Sequence, residues 1–182
     1  MSNLVSTSQS DLAVSDDQLQ QYLTFLVSHE KFAIGILDVK EIIEINNITR
    51  VPMTPTFIKG VINLRGNVVP VIDLSSRLGK QVSELTKRSS IVLVEVEVHD
   101  EAQIIGMLVD QVNEILEIPA ANIQPAPDFG ADIRTEFIQA MGRVGDDFII
   151  LLALNRVLSI DELSQLNNVI SSQNIEAQTE LQ

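Results

Sequence analysis

The sequence predicts a mainly β protein built as two small antiparallel barrels that share a core. Three observations carry this expectation. The chain repeats itself once, its apolar residues are chiefly β-branched and aliphatic, and its apolar runs are short and separated by turn residues. Of 182 residues 45% are hydrophobic but only 4% aromatic, with no Trp, so Ile, Val and Leu must fill the core. Residues branched at Cβ at that density favour strands.

The repeat is clearest between FIKGVINLRGNVVPVIDL (57–74) and FIQAMGRVGDDFIILLAL (137–154). Phe57 falls on Phe137, Val61 on Met141, Val68 on Phe148 and Ile72 on Leu152 without a gap, so both copies are expected to bury the same faces. The polar centres differ: Asn63, Leu64, Arg65, Gly66 and Asn67 face Arg143, Val144, Gly145, Asp146 and Asp147. Upstream, VKEIIEI (39–45) matches VNEILEI (112–118), and IGIL (34–37) matches IGML (105–108). The units are placed at about 22–78 and 90–158. A duplicated scaffold with one altered tip points to a function carried by the first copy.

In chain order, residues 1–19 are rich in Ser, Gln and Asp and are expected to form a flexible tail. Residues 22–36 read as two strands joined by a turn at Ser28, His29, Glu30 and Lys31. Thr54 followed by Pro55 predicts a single helical turn. Residues 61–64 and 68–72 form a hairpin around Arg65, Gly66 and Asn67. Pro70 cannot donate to a ladder, which predicts an edge strand or a bend. Residues 74–78 predict a short helix stopped by Gly79. Residues 90–98 and 102–109 pair across His99, Asp100 and Glu101. Residues 119–132, with three prolines, read as an irregular loop. Ser159 and Glu162 form a capping box, followed by Ile160, Leu163, Leu166, Val169 and Ile170 at helical spacing. That C-terminal amphipathic helix, within a final segment at 159–182, would cover one barrel or meet a partner. The VLV and IILLAL runs predict strands buried on both faces, as where two barrels abut.

Composition excludes several functions. A formal charge of −13 argues against binding nucleic acid or an anionic membrane surface. Without cysteine there is no disulfide, thiolate metal site or thiol nucleophile. There is no secretory signal and no apolar run long enough to insert in a bilayer, which suits a cytoplasmic protein. His29 and His99 sit in turns, and no spacing suits a transition metal, calcium or phosphate cradle. Asp38, Asp73 and Asp110 end apolar runs and would be the carboxylates of an enzyme, but such positions are more often turn caps. No cofactor is expected. Arg65 stands out at the hairpin tip of a base-poor chain. Its planar fork suits a carboxylate, either Glu41 or Glu44 within the chain or one on a partner.

The 57–74 stretch, with Asn63-Leu64-Arg65-Gly66 inside an apolar hairpin, resembles the central motif of the CheW family of bacterial chemotaxis coupling proteins. Val39-x-Glu41-Ile42 and Ile105-Gly106-x-Leu108-Val109-Asp110-x-Val112 fit the same pattern, and the likeness spans about 20–158. It implies two five-stranded SH3-like barrels around a common core and a scaffold without catalysis. It also implies two partners, the regulatory domain of the histidine kinase CheA and the cytoplasmic tip of methyl-accepting chemoreceptors. By the motif, Val39, Glu41, Gly60 and Arg65 are the partner-binding positions, with Gly60 permitting close backbone approach. Ser75 departs from the family, which often carries Arg there. A coupler for a related chemosensory pathway, such as one controlling twitching pili, is an alternative. A CheW-like part of a longer protein is disfavoured by the short stretch after the barrel. From another class, a small-ligand-binding barrel is disfavoured by the scarcity of aromatic platforms.

Overall fold

The computed structural model describes residues 18–127 and 135–158. The tail before residue 18 and the expected C-terminal helix lie outside these residues. Eleven strands occur among the described residues: β1 (Leu19–Val27), β2 (Glu30–Gly35), β3 (Val39–Glu44), β4 (Ile58–Leu64), β5 (Asn67–Asp73), β6 (Ser90–Val98), β7 (Glu101–Val109), β8 (Gln111–Pro119), β9 (Ile123–Gln124), β10 (Ile138–Val144) and β11 (Asp147–Leu152). Two one-turn helices, α1 (Leu74–Arg77) and α2 (Leu154–Val157), follow β5 and β11. Leu19 belongs to β1, so the strand starts earlier than the sequence suggests.

The strands form two sheets, β8-β1-β2-β11-β10-β9 and β3-β6-β7-β5-β4. In the first, the edge strands β8 and β9 are joined by the 3-10 turn Ala120–Asn122, so the sheet curls back on itself as a small barrel. The second closes in the same way. Its β3 edge leads through 45–48 to Thr49, which exchanges both backbone hydrogen bonds with Val61 of β4 at 2.8 Å. Closure satisfies edge groups that would otherwise invite pairing with other chains.

Neither sheet corresponds to one sequence unit. The hairpin β1–β2 of the first copy joins β8–β11 of the second, and β6–β7 of the second joins β3–β5 of the first. The chain crosses between sheets at two matching places, the 3-10 turn Ile36–Asp38 and Asp110. The sheets are therefore not wholly antiparallel. β5 runs parallel to β7, and β11 parallel to β2, where the copies exchange strands.

Three apolar clusters follow from this exchange. Ile62, Val69, Val71, Ile91, Leu93 and Leu108 fill one barrel. Tyr22, Ala33, Ile118, Ala140, Ile149 and Leu151 fill the other. Between them lies a common cluster that includes Phe25, Phe32, Ile72, Met107, Phe137 and Leu152. Along β5 and β11 successive residues turn alternately inward and toward the shared core, so these strands need apolar residues on both faces. Arg77 stands between the two matched rings, 5.0 Å from the centroid of Phe57 and 4.7 Å from that of Phe137. Its Nε donates to the Val157 carbonyl at 2.8 Å. A guanidinium between two faces, with an apolar stem, ties the barrels by cation–π attraction as well as by burial.

Several local expectations are corrected. β5 is an interior strand, not an edge. Pro70 is tolerated because its partner Val61 points its polar groups at Thr49, so Pro70 faces away from β4, and the ladder with β7 begins only at Val71. No helical turn follows Thr54; its Oγ1 donates to the Val51 carbonyl, and Ile58 N–H closes a turn onto Pro55. The segment expected to be an irregular loop contains the Ala120–Asn122 turn and β9. The stop after α1 is as expected: Gly79 has φ 84°, and Asp73 caps the helix by accepting from Ser75 N–H.

Candidate functional site

The β4–β5 hairpin turns over two residues, Arg65 and Gly66, with φ of 51° and 88°. Positive φ at both central residues is what a type I′ turn requires, and it matches the twist of paired strands. Glycine accepts this freely, whereas arginine does not. Asn63 helps to hold the turn, its Oδ1 accepting from Gly66 N–H at 2.8 Å.

The left-handed backbone sends the Arg65 side chain toward β3. Its Nη2 donates to both Glu41 oxygens at 2.9 Å. Of the two internal carboxylates considered, the partner is Glu41 and not Glu44. In the order of the sheet, β3 and β4 are opposite edges, so this ion pair spans the seam that closes the barrel. The Arg65 side chain is 70% exposed and that of Glu41 36%, so the pair contributes at most about 1 kcal/mol to stability. Its contact with one nitrogen leaves the other donors of the guanidinium turned to solvent, a fixed and oriented charge on the surface.

A β-bulge at Lys40 separates Val39 from Glu41 and re-aims the strand there. Lys40 pairs with Glu95 at 3.3 Å. Val39 is half-buried against the core between the barrels. Gly60 is buried, with φ 151°, and a Cβ there would lie 2.3 Å from the Thr49 carbonyl oxygen. The close backbone approach that it permits is therefore made by the chain's own seam. The structure brings Glu41 and Arg65 together, places Val39 two residues from Glu41, and puts Gly60 inside the same barrel wall.

Sequence reasoning missed part of this surface. Ile42 and Val68 are exposed, and so are the residues that match them in the second copy, Ile115 and Phe148. Val68 and Phe148, coincident positions expected to bury the same face in both copies, face solvent in both.

Two of the three carboxylates of the enzyme reading, Asp73 and Asp110, are in structural use. Asp73 is fully buried and accepts from Ser75 N–H, Ser83 N–H and Ser83 Oγ at 3.1, 2.8 and 2.6 Å. Asp110 accepts from Ser28 N–H at 2.7 Å. Ser75 is buried with its Oγ 2.6 Å from both Ser28 Oγ and the Gln81 carbonyl. Among the described residues no group of His, Asp or Glu is arranged to hold a metal ion, and no helix is long and apolar enough to cross a membrane.

A family model described as the CheW-like domain matches residues 21–162. The chemotaxis protein CheW of Klebsiella aerogenes is 34% identical over 153 residues, covering 84% of this chain and 90% of that protein. Protein FrzA of Myxococcus xanthus is 29% identical over 143 residues, covering 76% and 85%. The crystal structure of the scaffolding protein TtCheW from Thermoanaerobacter tengcongensis superposes with a TM-score of 0.70 at 33% identity, over 80% of this chain and 91% of that one.

Proposed function

The chain belongs to the CheW-like family, and from that premise we propose that it couples methyl-accepting chemoreceptors to the histidine kinase CheA as a non-catalytic scaffold in the cytoplasm, beneath receptor arrays. The observation that carries this reading is the Glu41–Arg65 pair, an oriented charge on an exposed seam with apolar Ile42 beside it in sequence and Val68 three residues beyond the tip. Apolar contact supplies affinity, while a placed charge selects partner and register. Val39 supports the apolar part of this surface from below, and Gly60 keeps the seam closed so that the pair is held in place. The matching exposed residues Ile115 and Phe148 give the other barrel an apolar face without the ion pair. A scaffold needs two dissimilar faces if it is to hold two dissimilar partners.

Titration calorimetry of the chain into the regulatory domain of CheA from the same genome tests the reading. Saturable one-to-one binding is expected, weakened by Arg65→Ala and more strongly by Arg65→Glu, with the fold intact. Absence of binding by the unmodified chain overturns the kinase assignment. The likeness to FrzA favours a second reading, a coupler for a related chemosensory pathway. It predicts binding to a different kinase of that genome through the same residues.

A further inference from the structure

An open groove of about 1020 Å³ lies beside the seam of the second barrel. Residues between β3 and β4 make most of its wall, and Val82 and Leu85, from the stretch after α1, complete it. Val82 is exposed but its neighbours in sequence are anchored on both sides. Ser83 gives its N–H and its hydroxyl to the buried Asp73 carboxylate at 2.8 and 2.6 Å. The Gln81 carbonyl accepts from the buried Ser75 hydroxyl at 2.6 Å. Moving Val82 therefore either leaves a buried carboxylate short of donors or leaves the Ser75 hydroxyl without its acceptor, and both are costly away from water.

The second anchor does not end at Ser75. A hydroxyl carries one hydrogen, and that of Ser75 points at Gln81, so in the 2.6 Å contact with Ser28 Oγ it is Ser28 that donates. Ser28 belongs to the β1–β2 turn of the first barrel. It has φ 49°, a left-handed conformation that Gly or Asn would hold at lower cost. What serine adds there is the hydroxyl. Its N–H donates to Asp110, where the chain crosses between sheets, at 2.7 Å. Donors aligned head to tail, Ser28 to Ser75 to Gln81, strengthen one another. A parallel contact joins the same two elements: Lys80 Nζ lies 3.0 Å from Glu30, and Lys80 N–H donates to the Ser75 carbonyl at 2.9 Å. The second copy departs from this pattern, since Asn155, which matches Ser75, is exposed.

We propose that Ser75 is a positioning residue through which the β1–β2 turn of the first barrel sets the Val82 wall of the groove on the second. The groove is then not the property of one barrel. Anything that displaces Val82 draws the Ser75 hydroxyl away from Ser28, and anything that reshapes the β1–β2 turn loosens Val82. By linkage the two effects are equal in free energy. This coupling holds whichever kinase the chain serves, because it is made entirely within the chain.

Hydrogen exchange of the full chain, followed residue by residue by NMR, tests this. Ser28→Ala removes the first donor at a half-buried turn residue that does not line the groove. Exchange of the Ser83 amide is expected to accelerate severalfold, while amides of β10 and β11 stay unchanged. His29→Ala disturbs the same turn at an exposed residue outside the hydrogen-bonded link, and is expected to leave the Ser83 amide as in the unmodified chain. An unchanged Ser83 amide in Ser28→Ala overturns the proposal. Equal acceleration by His29→Ala does so too, since the turn would then act by general loosening. A double-mutant cycle gives a second, independent measurement. Ser28→Ala is expected to lower the urea midpoint of the unmodified chain and to leave that of Ser75→Ala unchanged. Equal shifts in the two backgrounds overturn the proposal.

Discussion

The β4–β5 and β10–β11 hairpins are the same piece of backbone with different tips. Each has a bulge at the same place, between Ile58 and Gly60 in one and Ile138 and Ala140 in the other. Each second strand runs parallel to a strand of the other copy, and each is followed by a one-turn helix. The tips diverge. Arg65 and Gly66 both have positive φ, whereas Gly145, at 62°, is the tip residue with positive φ in the second copy. Arg65 reaches across the seam to Glu41, while Arg143 turns back to its own Gly145 carbonyl at 3.3 Å. The shared bulges, parallel pairings and one-turn helices build the core, whereas the divergent tips are exposed. One copy accepts arginine in a left-handed conformation, which costs about 1–2 kcal/mol, for an ion pair worth less than that in stability. The pair is therefore better explained by what it presents to a partner than by what it holds together.

The largest break in this comparison comes from the shared part. Ile72 and its match Leu152 are buried in the cluster between the barrels. Ile72→Asp and Leu152→Asp should each unfold the protein, since a buried, unpaired carboxylate costs several kcal/mol. Circular dichroism should show no cooperative melting for either, and a folded Ile72→Asp variant would refute the shared core.

The next effect separates the two bulges. Gly60→Ala places a Cβ against the Thr49 carbonyl, whereas the matching position already carries Ala140. The substitution should lower stability by about 1–3 kcal/mol, seen as a shift in the urea midpoint. Ala140→Gly should cost no more than about 1 kcal/mol. Equal losses would mean that the barrel wall at Ala140 is packed as tightly as the one at Gly60.

A smaller effect isolates the tip. Asn is favoured before Gly in type I′ turns, so Arg65→Asn should leave the urea midpoint unchanged or raise stability by up to about 1 kcal/mol. The same variant should bind the kinase domain more weakly in calorimetry. Loss of stability together with binding would make the ion pair a structural clasp.

The smallest effect sharpens the other barrel. Tyr22 is buried and its hydroxyl donates to Gln20 Oε1 at 2.7 Å; burial raises its pKa above the ordinary value of 10.0. Because the folded pKa is raised, this contribution to stability is complete below pH 10 and is lost as pH rises through the folded value. Tyr22 is the only Tyr and there is no Trp, so absorbance near 295 nm reports it alone. Titration of the native chain should lie to the alkaline side of the same chain in urea.

Strand positions were legible because apolar alternation and turn residues are local signals. Ser28 with His29, Arg65 with Gly66, and His99 with Asp100 each close a hairpin with positive φ at both residues. The Glu41–Arg65 pair was one of the options the sequence left open, since a guanidinium at a tip can reach more than one carboxylate. Pro70 misled, because its fitness depends on Val61 facing Thr49, a contact between residues distant in the chain. Exposure of Ile42 and Val68 was hidden for a similar reason. Whether an apolar side chain is covered depends on what packs above it, and that is not written beside it.

By itself the sequence determined the duplication, most of the strands and hairpin turns, and the resemblance to the family. Only the tertiary structure decided which strands pair, with β1–β2 and β6–β7 exchanged between the copies. The physical reason is that a period of two specifies a face and not a neighbour. Two copies that bury the same faces offer interchangeable partners, and the choice is made by the crossings at Ile36–Asp38 and Asp110 and by the core that forms between the barrels.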